Sequence, residues 1–308
     1  MINSFLKVEK TLAHPEEVSK ARAMKGSPLT VASFTNLGDI YMYDFKEMKQ
    51  TIKLKGHTEY GFGLWWKPSG NQEKSNILIS SGTDKKISVW DLNLTPNDNS
   101  EIFPLNTLTY HTETVDCVDI LQSNPEVFAS VSDDSRLAIW DLRDLNKPTS
   151  SIQASPDTLS SVAFNPSNEY TFLTAGQKSG EIWLWDLRRL IDVLPLTTFW
   201  GHTHPVTTLS FSKLDPDIFW SGSVMPSKEN FNMQWYSSMI WDISKIGEEI
   251  SYNQDEECQL STMILSHDGH QYTVEDISWS PYDKYTLAST DANSTVNFYQ
   301  IAEELINH

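Results

Sequence analysis

Cysteine is nearly absent: the chain of 308 residues carries only Cys117 and Cys258. They lie far apart with no C-x-x-C or Cys/His spacing, which excludes a zinc site, and so few thiols point to a reducing compartment. Long apolar runs are missing too. No stretch approaches the ~18 residues needed to cross a bilayer, and Met1–Lys10 has no apolar core of a secretory signal, so the expectation is a soluble intracellular protein. Basic residues are scarce, 23 Lys and Arg against 41 Asp and Glu, a net charge of −18 with a pI near 4.7. Such a field repels nucleic acid and anionic lipid and attracts basic partners, so neither nucleic acid nor membrane is expected to bind directly. There is no Gly-rich phosphate loop, no G-x-S-x-G elbow and no convergent acid, base and nucleophile. No enzyme activity, cofactor or metal is therefore expected. Finally, no Pro/Ser/Gly-rich stretch is long enough to serve as a linker between domains, and one domain over 1–308 is expected.

What is abundant is aromatic: 11 Trp, 11 Tyr and 13 Phe, residue types that suit half-buried strands. They recur with a period. An aromatic followed by Asp closes successive units at Tyr43-Asp44, Trp90-Asp91, Trp140-Asp141, Trp185-Asp186 and Trp241-Asp242, with a degenerate Tyr299-Gln300. The closing residues stand 47, 50, 45, 56 and 58 positions apart. A histidine opens most units (His14, His57, His111, His202, His270), and Ser155 takes that place in the fourth. Within the second unit Phe62–Trp66, Asn76–Ser80 and Ile87–Trp90 read as strands, with Gly82-Thr83-Asp84 as a turn whose residues tolerate unusual backbone angles. Ser132-Asp133-Asp134 precedes Leu137–Trp140 in the same way.

These units resemble WD repeats along the whole chain, which implies an all-β β-propeller of six repeats, either a closed six-bladed ring or a seven-bladed relative lacking its N-terminal part. Ser4–Leu12 is expected to be an outer strand completing the last blade, which itself supplies Val274–Trp279, Tyr285–Ser289 and Thr295–Ile301. Residues 302–307 are expected to form a short C-terminal helix. The resemblance implies a hydrogen-bonded brace of His57, Asp84 and Trp90 in unit two, and of His111, Asp134 and Trp140 in unit three. Recurrence argues against reading these His–Asp pairs as an active site, because one site would not be copied from unit to unit. The same holds for His202 and His204.

More distinctive words narrow the resemblance: HPEEVSKARAM (14–24), GHTEYGFGLWW (56–66), DISKIGEE (242–249) and HDGHQYTVEDISWSP (267–281). Together they resemble the histone-binding WD family, also called retinoblastoma-binding or Msi-like proteins, non-catalytic subunits of histone acetyltransferase, chromatin-assembly, deacetylase and Polycomb complexes. The resemblance implies a nucleus-based protein, found in the cytoplasm as well, with two histone surfaces. One is a side groove for a helix of histone four, here reduced to Asp255, Glu256 and Glu257 of an acidic loop with Ile301 and Leu305 near the C-terminus. The long N-terminal helix that walls this groove in the family is absent from the sequence. The other is a face for the basic tail of histone three, to which Glu17, Phe62 and Asp116 correspond by position. Tyr60, Thr158 and Pro205 stand where the family has acids, and Glu59, Glu113, Asp157 and Glu275 add charge nearby.

Two alternatives stay open. Ala129–Arg143 resembles the short box by which some WD proteins dock the adaptor of a cullin-RING ubiquitin ligase, with Asp134, Trp140, Asp141 and Arg143 as its marks, and Trp185–Arg188 repeats the ending. A general assembly scaffold is the other. An insertion at 225–236 carries Phe231, Met233, Trp235 and Tyr236, expected to pack on a neighbouring blade or a partner.

Overall fold

Strand-length segments whose side chains are buried almost throughout, such as Leu159–Phe164 and Ile218–Ser223, require covering layers on both faces. The computed structural model provides them as six sheets. It describes residues 9–24, 26–68, 76–93, 101–224, 238–247, 262–267 and 269–302. By packing, the chain divides into two compact units, Met1–Val115 and Asp116–His308.

The first unit holds two sheets. β1 (Val18–Met24), β2 (Ser27–Thr35), β3 (Ile40–Asp44) and β4 (Lys49–Leu54) form an antiparallel meander. The second contains β5 (Gly61–Trp66), β6 (Ile77–Gly82) and β7 (Ile87–Asp91). From β7 the chain runs back to lay β8 (Glu101–Ile102) parallel on β4, before β9 (Asn106–Leu108) pairs with β7. The first sheet therefore has five strands. The inner strands β1 and β5 pack together, and the Trp66 indole donates to the Arg22 carbonyl at 3.0 Å. Phe34, Ile40, Met42, Leu54, Leu78 and Trp90 make the core between these sheets.

The second unit holds four sheets: β10 (Val115–Ile120) to β13 (Ser150–Gln153), β14 (Leu159–Phe164) to β17 (Thr197–Phe199), β18 (Val206–Phe211) to β21 (Met263–His267), and β22 (Val274–Trp279), β23 (Thr286–Asp291) and β24 (Val296–Gln300). The strands between are β11 (Val127–Ser132), β12 (Arg136–Asp141), β15 (Thr171–Gly176), β16 (Ile182–Asp186), β19 (Ile218–Ser223) and β20 (Ser238–Asp242). Each runs antiparallel in chain order, the four-strand blade of the WD repeat, with three strands described in the last. Neighbouring blades are tied by side chains: Asp119 accepts from the Phe164 N–H at 2.7 Å, the Ser161 hydroxyl accepts from the Leu209 N–H at 3.1 Å, and the Trp279 indole donates to the Ser210 carbonyl at 3.0 Å.

The strands expected in unit two are present with ends shifted by one or two residues, β6 beginning at Ile77 rather than Asn76 and running on to Gly82. In the last blade β23 starts at Thr286 rather than Tyr285, because Tyr285 sits in a left-handed turn with φ 61°. The expected outer strand at 4–12 lies mostly outside the described residues, and its described portion, Glu9–Leu12, is not in a strand. Outside the described residues as well are the expected C-terminal helix beyond Ala302 and the 225–236 insertion.

Candidate functional site

The recurring histidines come first. In the second blade the Trp90 indole donates to Ser80 Oγ at 2.8 Å, and Ser80 Oγ is 2.8 Å from His57 Nε2. His57 Nδ1 lies 2.9 and 3.0 Å from the two Asp84 oxygens. These bonds are satisfied together when Nδ1 carries the hydrogen and Nε2 accepts from the serine. Asp84 also accepts from the Thr58 and Lys86 N–H groups. Burial alone would raise its carboxyl, but the hydrogen bond from His57 and the two backbone donors hold it below the usual range.

Each of the other blades keeps some of this brace. Trp140 donates to Ser130, Trp185 to Thr174 and Trp241 to Ser221, at 2.8–2.9 Å. His202 Nε2 lies 2.6 Å from Ser221 Oγ. In the last blade His270 bridges Ser289 at 2.5 Å and Asp291 at 3.0 Å. That acid stands two residues after the serine, whereas Asp84 stands four after Ser80. Asn293 occupies the place of Asp84 and donates its N–H to Asp291 instead. The fourth blade has Ser155 for the histidine, and its turn 177–180 (QKSG) has no acid. In the first blade His14 meets Ser33 at 2.8 Å, but Leu37 replaces the acid and Tyr43 the tryptophan.

Ser–His–Asp contacts of this kind have the connectivity of a hydrolase triad. Here, however, Ser80 and Ser289 are buried, and the Ser80 hydroxyl is already shared with an indole. A substrate has no path to it, so the contacts brace the blade. A recess of about 410 Å³ in the second unit, beside Trp183, Trp185, Pro156 and Pro195, is lined by no ionisable side chain.

The tail-face residues sit where each blade's first strand begins. In the first unit Glu17, Glu59 and Glu113 are exposed, with Glu113 3.1 Å from Lys85. Tyr60 and Phe62 flank Gly61 at the start of β5, their rings 5.0 Å apart and tilted by 39°. In the second unit Glu275 is exposed, and Asp157 is half-buried and 3.3 Å from Lys178. Asp116 is different. Burial, with the charge of and a hydrogen bond to Asp133, pushes its carboxyl up to about 8. Its carboxyl therefore holds a proton more readily than the exposed acids around it.

Of the helix-groove residues only Ile301 is described. Asp255, Glu256, Glu257 and Leu305 lie outside the described residues, and Ile301 is a core residue, packed with Trp220, Val274 and Leu287 and bonded through its N–H to the Tyr285 carbonyl. Buried in this way, it presents no surface to a helix. Of the candidate adaptor box, Trp140 is buried, while Arg143 is exposed and clasped by Asp141 at 2.5 and 2.8 Å. The guanidinium draws the Asp141 carboxyl down to about 2. Arg188 and Asp186 repeat the pair in the next blade, with Arg188 4.3 Å above the Tyr170 ring. The serine and threonine acceptors of the braces are functional residues that the histidine pattern alone does not name. Their signal is spacing, ten residues before the tryptophan in the second and third blades.

Antiparallel four-strand blades with buried Trp–Ser and His–Ser braces define a WD-repeat β-propeller protein, and the family described as WD domain, G-beta repeat matches residues 48–91, 103–141 and 261–300. The chain is further similar to histone acetyltransferase type B subunit 2 of Debaryomyces hansenii, 28% identical over 315 residues, a match covering 99% of this chain and 71% of that protein. The likeness runs along nearly the whole of this chain and supports the resemblance to histone-binding WD proteins.

Proposed function

We propose that this chain is a non-catalytic, nuclear histone-binding subunit of a chromatin-assembly or chromatin-modifying complex, acting through basic tails held at the entry of its blades. The observation that carries the reading is the set of exposed acids at those entries, Glu17, Glu59, Glu113 and Glu275, on a chain of net charge −18. Its likeness to a histone acetyltransferase subunit supports the same reading. A basic tail gains charge-assisted hydrogen bonds there. Each exposed pair contributes only about 0–1 kcal/mol, so affinity comes from several pairs and weakens with salt.

Calorimetric titration with the histone three tail and the histone four helix, at low and moderate salt, tests this. Salt-sensitive tail binding is expected; silence towards both peptides would overturn it. A second reading is favoured by one observation, the exposed Arg143 and Arg188 each clasped by the Asp two residues earlier. It makes the chain a receptor for a cullin-RING ligase adaptor. Adaptor binding lost in Arg143→Ala, with no histone binding in the parent, would select it.

A further inference from the structure

At the third and fifth positions after the opening residue, five of the six blades have no aromatic: Glu17 and Ser19, Thr114 and Asp116, Thr158 and Ser160, Pro205 and Thr207, Thr273 and Glu275. Only the second blade places rings there, Tyr60 and Phe62. Phe62 is 38% exposed. The backbone beneath the pair has no slack. Gly61 lies against the Phe34 ring, where a Cβ would come within 2.2 Å, and the Tyr60 carbonyl accepts from the Thr83 N–H at 2.9 Å and its hydroxyl at 3.2 Å.

Next to the pair the exposed Glu59 supplies a carboxylate. The first blade's turn closes in on the same spot. Gly38, with φ +91°, abuts the backbone of His57 and Glu59, and its neighbour Leu37, at the sequence place of the brace acid, is 62% exposed. Within the first unit a pair of tilted aromatic rings thus follows directly on an exposed acid, and the turn that carries an exposed leucine abuts the backbone of that acid.

A free lysine ammonium is strongly hydrated and seeks carboxylate oxygens. A methylated ammonium keeps its charge, loses its donors and sheds water more readily, which suits an aromatic face within about 6 Å. We propose that Tyr60 and Phe62, with Glu59 and Leu37, form a subsite for a lysine side chain that accepts the trimethylated form, and that Tyr60 sets this tolerance. The inference rests on the tail-binding reading above and names the side chain taken at one position of it.

The test uses the full chain and two histone three tail peptides in which a single lysine is kept, either free or trimethylated. Calorimetry should find the trimethylated peptide bound at least as tightly as the free one. Tyr60→Glu should shift the ratio towards free lysine by fivefold or more, and Phe62→Ala should weaken both peptides about fivefold, with melting temperatures near the parent's. If both peptides bind but the free lysine wins tenfold, or the ratio is the same in Tyr60→Glu, the subsite is wrong while tail binding stands. If neither peptide binds, tail binding fails and the subsite with it.

Discussion

Ser80 and Ser81 are adjacent on β6, both fully buried, and point to opposite faces of the sheet. Ser80 Oγ takes the Trp90 indole hydrogen and meets His57 Nε2, each at 2.8 Å, whereas Ser81 Oγ has no hydrogen-bond partner among the described residues. Replacing each by Ala removes the same atom, so size and strand propensity cancel. Ser80→Ala orphans two buried nitrogens, and an unsatisfied buried group costs about 1–3 kcal/mol. With some local relaxation, the expected loss is about 3 kcal/mol. Ser81→Ala removes a hydroxyl that had no partner, so its expected change is within about 0.5 kcal/mol, or slightly stabilising. By calorimetry or urea unfolding, Ser80→Ala should melt about 5–10 °C below the parent, and Ser81→Ala alongside it. Equal losses in the two variants would refute the brace as a source of stability and leave packing alone to explain these blades.

Acid should loosen the blades through their aspartates. Asp84 and Asp291 both titrate below the usual value in the folded chain, so the unfolded state binds protons first. Their contribution is complete above the ordinary carboxylate range and is lost as pH falls through it to the depressed folded values; Asp84→Asn should flatten this acid limb in urea midpoints measured against pH. Asp116 has the opposite sign. Raised to about 8, its contribution is complete below the unfolded value of 3.8 and is lost as pH rises from there through about 8, so Asp116→Asn should make stability between about pH 4 and 8 less pH-dependent. Gly38→Ala forces a Cβ to within 2.8 Å of the His57 carbonyl at φ +91° and should cost about 2 kcal/mol or more, visible as a lower melting temperature.

Strands and braces were legible where the sequence repeats. Trp90 and Trp140 announce their blades because an indole needs both a cavity and an acceptor, and a serine ten residues back supplies the acceptor. Asp291 was not legible as a brace acid: the repeat's spacing points to Asn293, and only the folded turn shows the carboxylate reaching His270 from two residues nearer the serine. Ile301 read as groove lining because an apolar residue near a chain end suits a surface and a core equally. Its burial depends on Trp220 and Val274, distant in sequence. Asp116 read as an anion because its environment is set by Asp133, from the turn after the next strand.

The parallel pairing of Glu101–Ile102 with Lys53–Leu54 carries a consequence for biosynthesis. The first blade's meander is complete in sequence at Leu54, yet the strand that covers its outer edge emerges from the ribosome only after the whole of β5, β6 and β7. For that interval β4 presents an open row of backbone donors and acceptors, a template for mispairing with another nascent chain. The clasp is then set by the second blade, through the Lys55 N–H bonded to the Ile102 carbonyl at 2.9 Å and the Lys55–Glu101 pair at 2.7 Å. Order of synthesis is thereby written into the sheet: the older blade waits for the younger to finish it.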